Sequence, residues 1–151
     1  MKFVADRMLG KLARKLRLLG YDTLYYSEIS EDELLAKSHD RILLTRDKIL
    51  YRRAKKLGYE VFYLKSDSWR SQLRALAEVY PIVRNAKPFT RCSVCNSELA
   101  SIDRESVRDR VPEYVYKSTD EFKICTGCGR IYWKGTHVEL VLEDLRKLVG
   151  L

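Results

Sequence analysis

Two sets of side chains in this sequence have the types and spacing to do chemistry. The first is four cysteines, in Cys92-Ser93-Val94-Cys95 and Cys125-Thr126-Gly127-Cys128, two C-x-x-C pairs with 29 residues between them and no cysteine left over. A tight two-residue turn presents two thiolates on one side of a tetrahedron, and four such ligands suit Zn²⁺. Two redox disulfides or four buried free thiols are the competing readings, and the paired spacing in a reducing compartment argues against both. With Cys92, Cys95, Cys125 and Cys128 all bound, no position remains for an activated water, so the zinc would be structural. It would supply roughly 10–16 kcal/mol of apparent folding free energy to a module with too little core of its own. His137 is a further candidate ligand, but beside four cysteines a helix-capping or nucleic-acid contact suits it better.

The second set is acidic. Asp6, Asp32, Asp47 and Asp67 each follow a short apolar run, Asp32 from within the first turn of a helix. If those runs are parallel strands, all four acids arrive at the carboxyl edge of one sheet, where open α/β sheets bind ligands. Clustered carboxylates repel unless cations lie between them, and oxygen-only ligands select Mg²⁺ or Mn²⁺. Such an ion can activate a water and stabilise the leaving oxygen of a phosphodiester. Aspartate is also a favoured helix cap, which suffices for any one of these residues taken singly. Several at one edge, beside a basic surface, argue for a metal site.

The elements that must position these groups are legible as alternating periodicities. Lys2–Ala5, Thr23–Tyr26, Arg41–Thr45 and Glu60–Leu64 read as short buried strands. Between and after them, helical spacing runs from Met8 to a stop at Gly20, from a capping box at Ser30–Glu33, from Asp47 to Leu57, and from Ser68 to Tyr80. Four β-α units in a row predict a parallel sheet flanked by helices. Arg84–Pro88 reads as a linker, which divides the chain into an α/β domain over 1–83 and a second unit over 84–151. In that unit Glu113–Tyr116 and Arg130–Trp133 read as ribbon strands, and about Val138–Leu148 as a closing helix. Tyr132 and Trp133 suit either the ribbon core or base stacking, with core the better fit.

Charge follows the same division. The 151 residues carry a net charge of +8. Residues 1–85 hold 18 Lys+Arg against 11 Asp+Glu, whereas residues 86–151 hold 11 against 10. The positive field therefore belongs to the first domain, and a polyanion is its natural partner. Arg7, Lys11, Arg14 and Lys15 fall opposite the leucine stripe of the first helix, and Arg46, Lys48, Arg52 and Arg53 surround the third turn. These could hold a nucleic-acid backbone. No apolar run is long enough to cross a bilayer, and Lys2 and Asp6 interrupt any secretory h-region, so the expected location is cytoplasmic.

Four stretches carry a resemblance. Asp6–Asp22, with Leu43-Leu44-Thr45-Arg46-Asp47, and the cysteine segments Arg91–Asn96 and Cys125–His137 resemble the Mut-seven C-terminal RNase domain family, a PIN-like nuclease fold with a fused zinc ribbon. The resemblance implies an Mg²⁺- or Mn²⁺-dependent ribonuclease in which Asp6, Asp32 and Asp47 match the acidic positions and Arg7, Lys11, Arg14 and Arg46 position phosphates. A PIN-type acid on a middle helix has no matching residue, and Asp22 and Asp67 are the substitutes. RNA is the implied partner, free or within the ribosome or another ribonucleoprotein. The alternative is a non-catalytic RNA- or ribosome-binding protein on the same fold.

Overall fold

The computed structural model describes residues 1–148, the side chains of residues 136–138 and 148 excepted. Four strands, β1 (Phe3–Ala5), β2 (Thr23–Tyr25), β3 (Ile42–Thr45) and β4 (Val61–Tyr63), pair in parallel in the order β2-β1-β3-β4. Each leads into a helix: α1 (Gly10–Leu18, entered through a 3-10 turn at Arg7–Leu9), α2 (Glu31–Ala36), α3 (Lys48–Lys56) and α4 (Trp69–Val79). The two-residue period of the strands divides their side chains between two cores. Phe3, Ala5, Ile42 and Leu44 meet Leu12, Leu16, Leu73 and Leu76 of α1 and α4. On the other face Val4, Leu43 and Val61 meet Leu34, Leu35, Leu50 and Ala54 of α2 and α3. A sheet buried on both faces explains why β3 reads as an unbroken apolar run.

The ribbon is an antiparallel sheet of β5 (Leu99–Ile102), β6 (Phe122–Cys125) and β7 (Ile131–Trp133), in that order. The expected strand at Glu113–Tyr116 is instead a helix, α5 (Glu113–Ser118). Pro112 fixes an extended backbone just before it, and the Pro112 carbonyl accepts from the N–H groups of Val115 and Tyr116. Glu113 and Lys117 pair across one turn, and Val115 is the buried residue of the helix. Four residues of apparent alternation are too few to tell the two periods apart once a proline supplies a helix start. Trp133 packs edge-on against Phe122 in a small core with Val107 and Val115, and so belongs to the ribbon interior.

The path of the chain joins the ribbon half to the α/β half at two places. Residues 84–88 lie against α1's end, where Lys87 N–H donates to the Leu19 carbonyl at 2.8 Å. Gly20 makes this approach possible: its φ is +93°, and a Cβ there would stand 2.2 Å from the Lys87 carbonyl oxygen. The final helix, α6 (Thr136–Leu148), then returns to the first domain, and Val141, Leu142 and Leu145 complete the core of α1 and α4.

Candidate functional site

The carboxyl edge of the sheet gathers Asp6 and Asp47. β1 and β3 are neighbours in register, Ala5 opposite Leu44, so the turns that follow them emerge side by side. Asp6 accepts from Arg7 N–H through Oδ1 at 2.7 Å and from the Thr45 hydroxyl through Oδ2 at 3.0 Å. The same hydroxyl accepts from Asp47 N–H at 3.0 Å, so Thr45 links the Asp6 carboxylate to the Asp47 backbone. Asp47 Oδ1 caps α3 through the N–H groups of Ile49 and Leu50. The capping expectation thus holds for Asp47, and one oxygen of its carboxylate does that work. Arg46 beside it donates to the Lys65 carbonyl, while its buried Nε has no partner among the described residues. Arg7, Lys11 and Arg14 are exposed on the 3-10 turn and α1.

Not every expected acid joins them. Asp32 is 82% exposed and its Oδ1 is held by Arg53 at 2.6 Å, the same guanidinium taking Glu31 at 2.9 Å. Asp67 is exposed in the turn after β4. Asp22 precedes β2 rather than following it, which puts it at the opposite, amino edge of the sheet; as a substitute acid for the carboxyl edge it is misplaced. There it takes a bidentate ion pair from Arg41 at 2.7 and 3.2 Å and a hydrogen bond from Asn96 at 2.8 Å. Burial pushes the Asp22 carboxyl up, but the Arg41 and Asn96 bonds outweigh it and hold the group below the ordinary carboxylate value. Among the described residues, Asp6, Asp32 and Asp47 do not converge as a three-ligand metal cluster.

The cysteines do converge. The Sγ atoms of Cys92, Cys95, Cys125 and Cys128 lie within 4.8 Å of one another, which places them to hold one metal ion. Each pair is set by backbone N–H donors to sulfur. Cys95 N–H points at Cys92 Sγ at 3.4 Å, and the N–H groups of Gly127 and Cys128 point at Cys125 Sγ at 3.3 and 3.4 Å. Such donors favour thiolate over thiol. Hydrogen bonds from Ser97 hold the Cys95 thiol down to about 6, while burial pushes Cys125 up to about 11. Four sulfurs this close cannot all ionise without a cation among them. Gly127 is required in that turn because a Cβ would stand 2.3 Å from Ser97 Oγ. A soft, four-thiolate, closed donor set fits Zn²⁺. The side chain of His137 lies outside the described residues.

Two residues that spacing alone did not single out tie this centre to the sheet. Arg17 is buried, yet it carries a charge; its Nε donates to the Thr23 carbonyl at 2.9 Å and its Nη1 to the carbonyls of Ser93 and Val94 within the first knuckle. Burial lowers its pKa, and the neighbouring Cys92 and Cys95 thiolates oppose that shift. Asn96 follows the knuckle with φ +73°, accepts from Thr23 N–H at 3.0 Å and donates to Asp22. At the opposite edge Thr45 is a further residue not singled out by spacing, linking the Asp6 carboxylate to the Asp47 backbone. For Arg17 a signal was present: it follows Leu16 inside the apolar stripe rather than opposite it.

No curated protein and no solved structure matches this chain. Among the described residues no helix is long and apolar enough to cross a membrane. The model of one protein family, the Mut7-C RNAse domain, matches residues 1–145. That span takes in the Asp6–Asp47 edge, all four cysteines and most of α6, and the chain belongs to the Mut7-C RNAse domain family.

Proposed function

We propose that this protein is a ribonuclease that hydrolyses RNA phosphodiesters at the carboxyl edge of its parallel sheet, with a structural zinc in the ribbon. The observation that carries this reading is the pairing of Asp6 and Asp47 through Thr45 in a chain of an RNase-domain family. Two carboxylates suit a hard divalent cation that keeps most of its waters, so Asp6 and Asp47 would hold Mg²⁺ or Mn²⁺. When bound, that ion supplies Lewis-acid activation of a water and charge neutralisation at the phosphate. The residues themselves do the rest. Thr45 orients the Asp6 carboxylate and holds the Asp47 backbone beside it, the Asp47 carboxylate remains anchored to α3, and Arg7 and Arg46 place the scissile phosphate opposite them. Lys11 and Arg14 extend the hold on the backbone along α1.

Four free thiols committed to a metal suit a reducing compartment, and we place the protein in the cytoplasm, acting on RNA that is free or within a ribonucleoprotein such as the ribosome. A second reading has one observation in its favour. Asp32 is occupied by Arg53, which leaves two acids rather than three and suits an RNA-binding protein without catalysis. One assay separates the two. End-labelled RNAs, both unpaired and structured, should be cut by wild type with Mn²⁺ or Mg²⁺ and spared by Asp6→Asn and Asp47→Asn at unchanged RNA affinity. If wild type and both variants are equally inert while all bind RNA, the ribonuclease reading fails and the binding reading stands.

A further inference from the structure

The two helical faces of the α/β domain differ in what they offer an anion. On the α2–α3 side, the first turn of α2 is Glu31, Asp32 and Glu33, and Arg53 is engaged by two of them. Both sides carry a surplus of cations, α3 included, but those of the α1–α4–α6 side gather around an aromatic ring. Lys15 of α1 and Arg70 of α4 both lie over the Trp69 ring, 4.6 and 4.9 Å from its centroid. Arg70 is bonded to Asp144 of α6 at 2.7 Å, which leaves Lys15 without a carboxylate at this junction among the described residues. Arg74, one turn beyond Arg70, is exposed and pairs with Glu78 at 3.5 Å, a solvated surface pair that a phosphate can displace at little cost, and Lys147 of α6 is exposed as well. Burial and the Arg70 charge both lower the pKa of Lys15. Two cations held together on one ring are a cost in the free protein, which a bound anion relieves.

The basic face does not end at α6. Arg70, Arg74 and Lys147 line a depression of about 320 Å³, and Lys147 also lines a larger cleft of about 580 Å³ between α6 and the ribbon. Lys134, Arg146 and Phe89 stand in that cleft, with Glu139 and Glu143 of α6 also on its wall, three cations against two acids. Phe89 has φ +63°, a left-handed conformation uncommon for a bulky residue. Lys123 secures it there, donating to the Phe89 carbonyl at 2.7 Å while lying over the ring at 4.7 Å. Non-glycine residues held in this way concentrate where a ligand is bound. An aromatic ring among lysines and arginines is the combination that binds nucleotides, through the base face and the phosphate together.

We propose that the α1–α4–α6 face, continuing into the cleft between α6 and the ribbon, is the track on which RNA lies as it leads away from the Asp6–Asp47 edge. This rests on the ribonuclease reading for its partner, and it gives the ribbon a share in substrate length. Lys15, Arg74 and Lys147 hold successive phosphates, and Phe89 with Lys134 holds a nucleotide at the far end. Phosphates closer to the acids fall to Arg7 and Lys11.

The test is binding of a fluorescein-labelled RNA by anisotropy across a KCl series, with EDTA present to prevent cleavage. For single strands the slope of log affinity against log salt falls by about 0.7 for each phosphate that the protein no longer neutralises. Lys15→Gln/Arg74→Gln/Lys147→Gln should therefore reduce the slope by about 2, and Lys147→Gln alone by about 0.7. Lys55→Gln/Lys56→Gln on α3 should leave it unchanged. RNA carrying 4-thiouridine should crosslink to the peptides holding Phe89 and Lys134, and Phe89→Ala should remove the first of these. An unchanged slope in both α1–α4–α6 variants, or crosslinks confined to α2 and α3, overturns the track while leaving the ribonuclease reading standing. Wild type that binds no RNA at any salt removes both.

Discussion

Replacing Asn96 with alanine should destabilise the parallel sheet even though Asn96 lies beside the zinc knuckle. Asn96 Oδ1 is the acceptor for Thr23 N–H at the start of β2, and its Nδ2 donates to Asp22 at the same edge. Alanine leaves the buried Thr23 N–H without a partner, a cost of about 1–3 kcal/mol. Asp22 keeps Arg41, so loss of the amide donor adds about 0.5–1.5 kcal/mol. Asn96 is also in the left-handed region, which asparagine tolerates and alanine adopts at a cost of about 1 kcal/mol. These contributions share neighbours and do not add fully, so a total of about 3 kcal/mol is expected. Asn96→Gly should recover about 1 kcal/mol of it by relaxing the backbone. The two tryptophans make the measurement local: Trp69 belongs to α4 and Trp133 to β7. In a Trp133→Phe background with zinc present, urea unfolding followed by Trp69 fluorescence reports the α/β half. A change below about 0.5 kcal/mol in Asn96→Ala, the ordinary scatter of surface substitutions, would refute the claim that the knuckle supports the sheet.

Gly20→Ala should be among the most disruptive single methyl additions in the protein, since the new Cβ meets the Lys87 carbonyl oxygen at 2.2 Å with φ at +93°; a fall in thermal midpoint of several degrees is expected, and an unchanged midpoint would show that residues 84–88 do not hold this position. Asp22 predicts an acid limb. Its carboxyl is held below the ordinary value by Arg41 and Asn96 against the opposing effect of burial, so its stabilisation is fully present above the unfolded value of about 3.9 and lost as pH falls through the lower folded value. The stability difference between wild type and Asp22→Asn should be flat above about pH 5 and shrink below about pH 4; a difference that grows on acidification would be inconsistent with that sign. Gly127→Ala should lower zinc content below the single equivalent per chain expected of wild type, measured by colorimetric release, because the knuckle cannot close with a Cβ 2.3 Å from Ser97 Oγ. Stripping zinc from wild type with a chelator should change Trp133 emission and, through Arg17 and Asn96, lower the urea midpoint reported by Trp69.

The parallel sheet was readable because each of its strands is short and largely apolar and is followed by an amphipathic helix, side-chain capped in α2 and α3, so several independent signals agree. The cysteine cluster was readable from spacing alone. Glu113–Tyr116 was not, because its alternation is shared by a one-sided helix and the deciding residue is the proline ahead of it. Asp22 and Asp67 look equivalent as letters beside strands, yet one precedes its strand and the other follows, and that difference sends them to opposite edges. Thr45 closes a buried strand and gives no sign in sequence that its hydroxyl will link the Asp6 carboxylate to the Asp47 backbone. Asp32 reads as an available carboxylate, and only the proximity of α3 reveals that Arg53 holds it. Local pattern fixes elements; partners far apart along the chain need the fold.

The return of α6 to the first domain bears on how the protein is made. The four β-α units are complete by Val79, but the core shared by α1 and α4 still lacks Val141, Leu142 and Leu145. A nascent chain therefore carries an open apolar face throughout synthesis of the ribbon, and the sheet can reach its final stability only once the helix that follows the second knuckle has emerged. Closure of the ribbon and sealing of the α/β domain are in this way placed in sequence, and a chain interrupted before residue 141 would present to chaperones and proteases the surface that α6 is there to cover.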